Sequence, residues 1–241
     1  ALVYLYYYPE DYKTLFLIAF IPGLAALLTS FLLKEKSSTK PNLSANPSFF
    51  SFLHYWKDSP LAYRKLVLGL LAFTLFNSSD VFLLLKAKEA GLNDAQVIGV
   101  YIFYNLVYVL FALPMGILAD KVGLKRIFII GLMVFAAVYF GMSVCTDIYF
   151  VAGLFFLYGV YAAATEGISK AWISNISKKE DTATAIGTYA GFQSICTMLA
   201  SSIAGLIWYQ FGASFTFALT GVMTVLVVFY FVGFVKEKKT N

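Results

Sequence analysis

The chain has 241 residues, 60% apolar and only 13% charged, and its mean hydropathy is +0.77. A soluble domain carries about a quarter charged residues, so a polytopic membrane protein is the default class. The net charge of +5 does not point to nucleic acid, because the basic residues sit at the ends of apolar runs, and the two cysteines, Cys145 and Cys196, argue against a disulfide framework or a zinc site.

Ala1 opens the chain inside an aromatic run with no charged segment before it, so the start is not a signal peptide. A fragment whose earlier spans are absent is expected. Pro9-Glu10-Asp11 marks a turn, and Thr14–Leu33 is one apolar span, with a kink expected at Pro22-Gly23. Ser37–Pro60, rich in Ser, Asn and Pro, reads as a linker. Within it Phe49, Phe50, Leu53 and Trp56 recur at helical spacing behind Ser48, which predicts an amphipathic interfacial helix over Ser48–Asp58. His54, the only histidine, lies there and reads as a surface residue. Six more spans follow: Arg64–Leu85, Ala95–Leu118, Arg126–Val144, Ile148–Ile173, Thr182–Trp208 and Ser214–Val235.

Alternate connections carry fifteen basic residues on one side against three on the other. The positive-inside rule makes the first side cytoplasmic, with the carboxyl terminus on it. The third and sixth post-linker spans hold almost no hydrogen-bonding groups and can face lipid, whereas the other four hold several, which must meet protein or water. Gly116 and Gly123 end the second span of the first triplet, and Gly205 and Gly212 end the second span of the other. Rhythm and glycine pairs together predict an inverted three-plus-three repeat, a feature of secondary transporters.

Between the second and third of these spans lies Gly116-Ile-Leu-Ala-Asp120-Lys121-Val-Gly123-Leu-Lys125-Arg126. This turn resembles the signature loop of the major facilitator superfamily at every fixed position. The resemblance covers most of the chain. It implies an all-α membrane protein: a six-helix carboxyl-terminal bundle (residues 63–241), preceded by the sixth transmembrane helix (1–33) and the central cytoplasmic linker (34–62). It also implies a partner, the amino-terminal six-helix half missing from this sequence.

Helical wheels give four polar stripes: Thr74, Asn77 and Asp80; Tyr101, Tyr104, Asn105 and Tyr108; Tyr158, Tyr161, Thr165, Ser169 and Trp172; and Tyr189, Gln193 and Cys196. Tyrosines and amides suit either a wet cavity or helix–helix hydrogen bonding. The expected substrate pathway is Asn77, Asp80, Tyr101, Tyr104, Asn105, Tyr158, Tyr161, Thr165, Tyr189 and Gln193. Asp80 has two readings, a protonatable coupling carboxylate or a hydrogen-bonded helix irregularity paired with Lys86 or Lys88. A cytoplasmic gate is expected from Gly116, Asp120, Lys121, Gly123, Lys125, Arg126, Glu166 and Lys170. Within it the resemblance implies a charge network of Glu166 and Lys170 with Asp120 and Arg126, the alternative being a static surface ion pair. Pro114 predicts a bend, and Gly187 with Gly191 predicts close helix packing.

These features predict a secondary active transporter in the cell (inner) membrane, moving a small solute by alternating access as a symporter or antiporter, with protons the candidate coupling ion. A seven-helix receptor or sensor is the alternative. No paired histidines, metal-ligand cluster, heme or flavin motif or nucleophile elbow is present, so no enzyme, cofactor, metal or nucleic-acid role is expected.

Overall fold

The computed structural model describes Tyr4, Tyr7 and residues 11–30, 51–145 and 147–235. Ser48, Phe49, Phe50 and the linker and carboxyl-terminal lysines Lys34, Lys36, Lys40, Lys236, Lys238 and Lys239 lie outside these residues, as do the side chains of Leu53 and His54. The chain falls into two units, 1–49 and 50–241.

In the first unit helix α1 spans Tyr12–Ser30 and runs through Pro22. Asp11 opens it: its carboxylate accepts the Thr14 N–H at 3.2 Å and the Tyr4 hydroxyl at 2.7 Å. This is the cap that the first exposed amides of a helix require. The Tyr4 hydroxyl holds the Asp11 carboxyl below its ordinary value.

In the second unit α2 is described over Ser51–Asp58, within the predicted amphipathic helix. Its Trp56 ring meets Phe192 edge-on at 5.5 Å, and Tyr55 meets Tyr63 at 5.4 Å. The first predicted span is two helices, α3 (Leu61–Phe76) and α4 (Val81–Glu89), separated by Asn77-Ser78-Ser79-Asp80. Next comes α5 (Asp94–Val122), opened by a reciprocal capping box between Asn93 and Gln96 and continuous through Pro114. It is followed by α6 (Leu124–Val144) and α7 (Ile148–Ile176), the latter capped by Asp147 accepting from the Tyr149 and Phe150 amides. After a 3-10 turn at Lys179–Asp181, one helical run, α8, extends over Thr182–Phe234.

At 1.5 Å per residue α8 is about 80 Å long, more than twice a bilayer core. It is two arms, 182–211 and 213–234, joined at Gly212 with φ 82° and ψ 171°. The arms double back. The Tyr63 hydroxyl donates to the Ala185 carbonyl near the start of the first arm, and the Tyr230 hydroxyl donates to the Lys65 carbonyl from near the end of the second. Both anchors lie within one turn of α3. At the far end Trp208 and Phe217 stack edge-on across the reversal at 5.5 Å. Five helices among the described residues are long and apolar enough to cross a membrane, α3 and α4 being counted together and α8 once. With the reversal in α8 they make six crossings, as the sequence predicts.

Gly123, between α5 and α6, has φ 106°. Gly123 and Gly212 therefore occupy equivalent places, each ending the second crossing of its triplet with a left-handed backbone that a side chain resists. Gly116 and Gly205, their upstream partners, have no close neighbour that needs a glycine.

The third and sixth crossings do more than face outward. Phe128, Leu132, Phe135, Tyr139 and Met142 of α6 are fully buried, as are Phe217 and Phe231 of the second α8 arm. Only their other faces, with Ile130, Met133, Phe229 and Val232, are exposed. Lack of polar groups made these crossings suited to lipid; it equally suits a core, and α6 packs against both α7 and α8. The expected packing at Gly187 and Gly191 is not formed within this chain: the space beside both is open.

Candidate functional site

The break between α3 and α4 organises the site. Asn, Ser and Asp compete for backbone hydrogen bonds and disfavour helix interiors. At Asn77 the backbone leaves the helix (φ −88°, ψ 87°), and its N–H goes to the carbonyls of Phe73 and Thr74. The Ser79 N–H is taken by the Ser201 hydroxyl of α8 at 3.2 Å, and the Val81 N–H by the Ser79 hydroxyl at 3.4 Å. Backbone at this depth persists only where such partners exist.

Asp80 precedes α4 but its side chain makes no cap. It turns to two tyrosines instead. The Tyr104 hydroxyl donates to Oδ2 and the Tyr158 hydroxyl to Oδ1, each at 2.5 Å, the short length of hydrogen bonds to a carboxylate. Pairing with Lys86 or Lys88 is overturned: Lys86 lies 3.6 Å from Glu89 and Lys88 lies 2.6 Å from Asp94. Beside it the Asn77 amide donates to the Tyr161 hydroxyl at 3.0 Å. The break is thus held by α5 through Tyr104, by α7 through Tyr158 and Tyr161, and by α8 through Ser201.

A cavity of about 430 Å³ opens beside the break. Of the predicted pathway residues Asn77, Asp80, Tyr161, Thr165, Tyr189 and Gln193 line it, and so do Thr74 and Ser169. Ser78, Ser79, Thr197 and Phe128 line it without having been predicted. Tyr104 and Tyr158 are buried behind this wall and reach Asp80 from there. Tyr101 and Asn105 are not on the cavity. Tyr101 is 44% exposed, and the Asn105 amide bonds back to the Tyr101 carbonyl. The reason is angular: Asn105 is about 100° from Tyr104 around the helix, so a face aimed at α7 through Tyr104 and Val107 carries Asn105 outward.

The gate residues separate in the structure. Glu166 and Lys170 line the same cavity as Asp80 and Tyr189. Gly116 and Asp120 instead line a second, smaller cavity of about 250 Å³ with Tyr108, Gly167 and Ala171. No ion pair is found among Glu166, Lys170, Asp120 and Arg126; ion pairs are found elsewhere, at Lys86–Glu89 and Lys88–Asp94. In this structure the two carboxylates of the expected network line different cavities. Lys121 and Arg126 are exposed, and Gly123 makes the reversal. Lys125 donates to the carbonyls of Val232 at 3.3 Å and Val235 at 2.6 Å, so the charged turn ties down the end of the last helix. Ser201 and Tyr139 escaped the sequence reading. Tyr139 is a lone polar residue in an apolar stretch and Ser201 one of a pair with Ser202, and only the fold brings them to the break.

Long apolar helices enclosing a polar cavity at an unwound segment define a multi-pass membrane protein of the all-α class. Comparison of the sequence with known families agrees. The family model described as Major Facilitator Superfamily matches residues 81–241, and the chain belongs to that family. It is 30% identical over 232 residues to a protein of Methanocaldococcus jannaschii named as an uncharacterised MFS-type transporter, covering 94% of this chain and 56% of that protein. It is 27% identical over 140 residues to a protein of Buchnera aphidicola named as an uncharacterised transporter, covering 56% of this chain and 35% of that protein. The chain thus spans about half or less of the length of these relatives. Nothing in these matches supports the receptor reading.

Proposed function

We propose that this chain is the carboxyl-terminal part of a secondary transporter that moves a small solute by alternating access. The observation that carries this is the broken first crossing, whose Asn77–Asp80 segment borders a polar cavity of about 430 Å³. Irregular backbone of this kind occurs in transporters where it lines a solute or ion site. The positive-φ glycines Gly123 and Gly212, at matched places in the two triplets, support the inverted repeat. On this reading residues 1–33 hold the sixth helix, 34–62 the linker and 63–241 the bundle. The carboxyl terminus faces the cytoplasm of a cell (inner) membrane. An amino-terminal half closes the cavity over the open face at Gly187 and Gly191.

Asp80 is the proposed proton-coupling residue. As a carboxylate it accepts from both Tyr104 and Tyr158. Protonation removes the charge and makes one oxygen a weaker acceptor, so the bond from the tyrosine on that oxygen loses strength. That ties protonation to the contacts holding α4 against α5 and α7. The test is solute flux in proteoliposomes of the full-length protein. Asp80→Asn is expected to abolish uphill uptake while leaving exchange of solute across the membrane. Unchanged proton-driven uptake by this variant overturns the assignment.

A further inference from the structure

A helix that stops inside a bilayer leaves its last carbonyls without partners. Among the described residues no hydrogen bond reaches the carbonyls of Leu75, Phe76 or Asn77 beyond the end of α3. Two further polar atoms at the break are also unpaired. Asn77 Oδ1 is buried, and the amide nitrogen is committed to Tyr161, which fixes the oxygen's direction. The Tyr139 hydroxyl sits on a side chain only 1% exposed, near Ser78 and Asp80, and makes no hydrogen bond of full geometry. Buried polar atoms are rarely left so, and several in one place point to an absent ligand.

The character of these atoms narrows that ligand. All are oxygens, and the only formal charge among them is that of Asp80. The carboxylate still has acceptor capacity, since each oxygen takes one tyrosine and a carboxylate offers about four sites. Among the described residues no group of three His, Cys, Asp or Glu side chains is placed to hold a metal. Glu166, the other carboxylate on this cavity, is eight residues beyond Tyr158, about 12 Å along α7. A single carboxylate with neutral hard oxygens suits a monovalent alkali cation; divalent ions and transition metals call for more carboxylates or for softer ligands. The carboxyl-terminal end of α3 adds its negative dipole to the same place.

We propose that the break between α3 and α4 binds a sodium ion. Its ligands are the Asp80 carboxylate, Asn77 Oδ1, the Tyr139 hydroxyl and the free carbonyls at the end of α3. The proposal deepens the reading of Asp80 as the coupling carboxylate by adding a second ion to that site. Its test reads binding rather than flux, so either reading can fail alone.

The experiment measures radiolabelled sodium bound to the full-length protein in detergent. Saturable binding is expected, displaced by sodium chloride and not by choline chloride. Asp80→Asn abolishes it, and Asn77→Ala weakens it roughly tenfold or more. Tyr139→Phe weakens it similarly, and because that hydroxyl makes no hydrogen bond of full geometry, this variant disturbs the fold less than Asn77→Ala, which removes the bond to Tyr161. Absence of saturable binding by the unaltered protein overturns the proposal, and so does unchanged affinity in Tyr139→Phe. If Asp80→Asn loses uphill uptake while sodium never binds, the proton reading stands and the sodium site falls.

Discussion

At Gly159 of α7 two helices approach closely beside the site, and Gly159→Ala tests how the tyrosines are held. An added Cβ meets the Tyr104 carbonyl oxygen at 2.6 Å and the Val107 Cβ and Cγ1 at 2.8 and 2.9 Å. The nearest of these is backbone and has no rotamer to yield. Reaching an ordinary 3.4 Å contact requires α5 to retreat by 3.4 minus 2.6, or about 0.8 Å. Tyr104 travels with it, and its 2.5 Å bond to Asp80 lengthens to about 3.3 Å, outside the useful range for an O–H donor. Overpacking costs about 1–3 kcal/mol, and a weakened bond to a charged group about 1.5–3 more. Because the two effects share one displacement, the expected loss is about 2–4 kcal/mol, a fall in Tm of about 5–15 °C. Thermal unfolding of the detergent-solubilised full-length protein measures it. Paired with Tyr104→Phe, the loss is expected to be less than additive by about 1 kcal/mol, since the same bond is removed twice. A Tm within about 1 °C of the unaltered protein, or strict additivity, refutes the reasoning.

Gly212→Ala places a side chain at φ 82° with no steric contact, so its cost of about 1–2 kcal/mol is backbone strain alone. Thermal unfolding measures it, and Gly212→Asn is expected to fall as far, because at ψ 171° the backbone lies outside the αL well that asparagine tolerates. Lys125→Ala releases the carbonyls of Val232 and Val235, and hydrogen exchange of the last helical turn is expected to rise roughly fivefold, as for the loss of about 1 kcal/mol. Tyr4→Phe removes the largest influence lowering the Asp11 carboxyl. A carboxyl lowered in the folded state stabilises above its unfolded value of 3.8 and loses that contribution as pH falls through the folded value. In the phenylalanine variant, carbon NMR is expected to show Asp11 titrating closer to 3.8.

The crossings, the charged turn and the paired glycines were legible because each rests on local chemistry: runs of apolar residues, clustered cations, a backbone no side chain tolerates. Asn77-Ser78-Ser79-Asp80 was legible as an irregularity for the same reason. What stayed hidden depends on rotation and on partners distant in the chain. Tyr101 and Tyr104 share a stripe on a wheel, yet only one turns toward α7. Glu166 and Asp120 carry the same charge at neighbouring depths, yet open onto different cavities. An apolar crossing such as α6 looks alike whether it meets lipid or packs at the centre of a bundle. Ser201 shows the limit most simply: nothing near it in sequence says that its hydroxyl will serve a backbone amide 122 positions earlier.

Tyr63 and Tyr230 have a mechanical consequence. Their hydroxyls fasten both legs of the α8 hairpin to one turn of α3, so those three rods cannot slide past one another without breaking a buried bond. A shape change that spares these rivets has to be taken up above them, where α4 is joined to α3 by four residues and steadied by side-chain hydrogen bonds from three helices. The lower part of the bundle is then a fixed frame, and the segment beyond Asp80 is the piece whose angle can change at least cost.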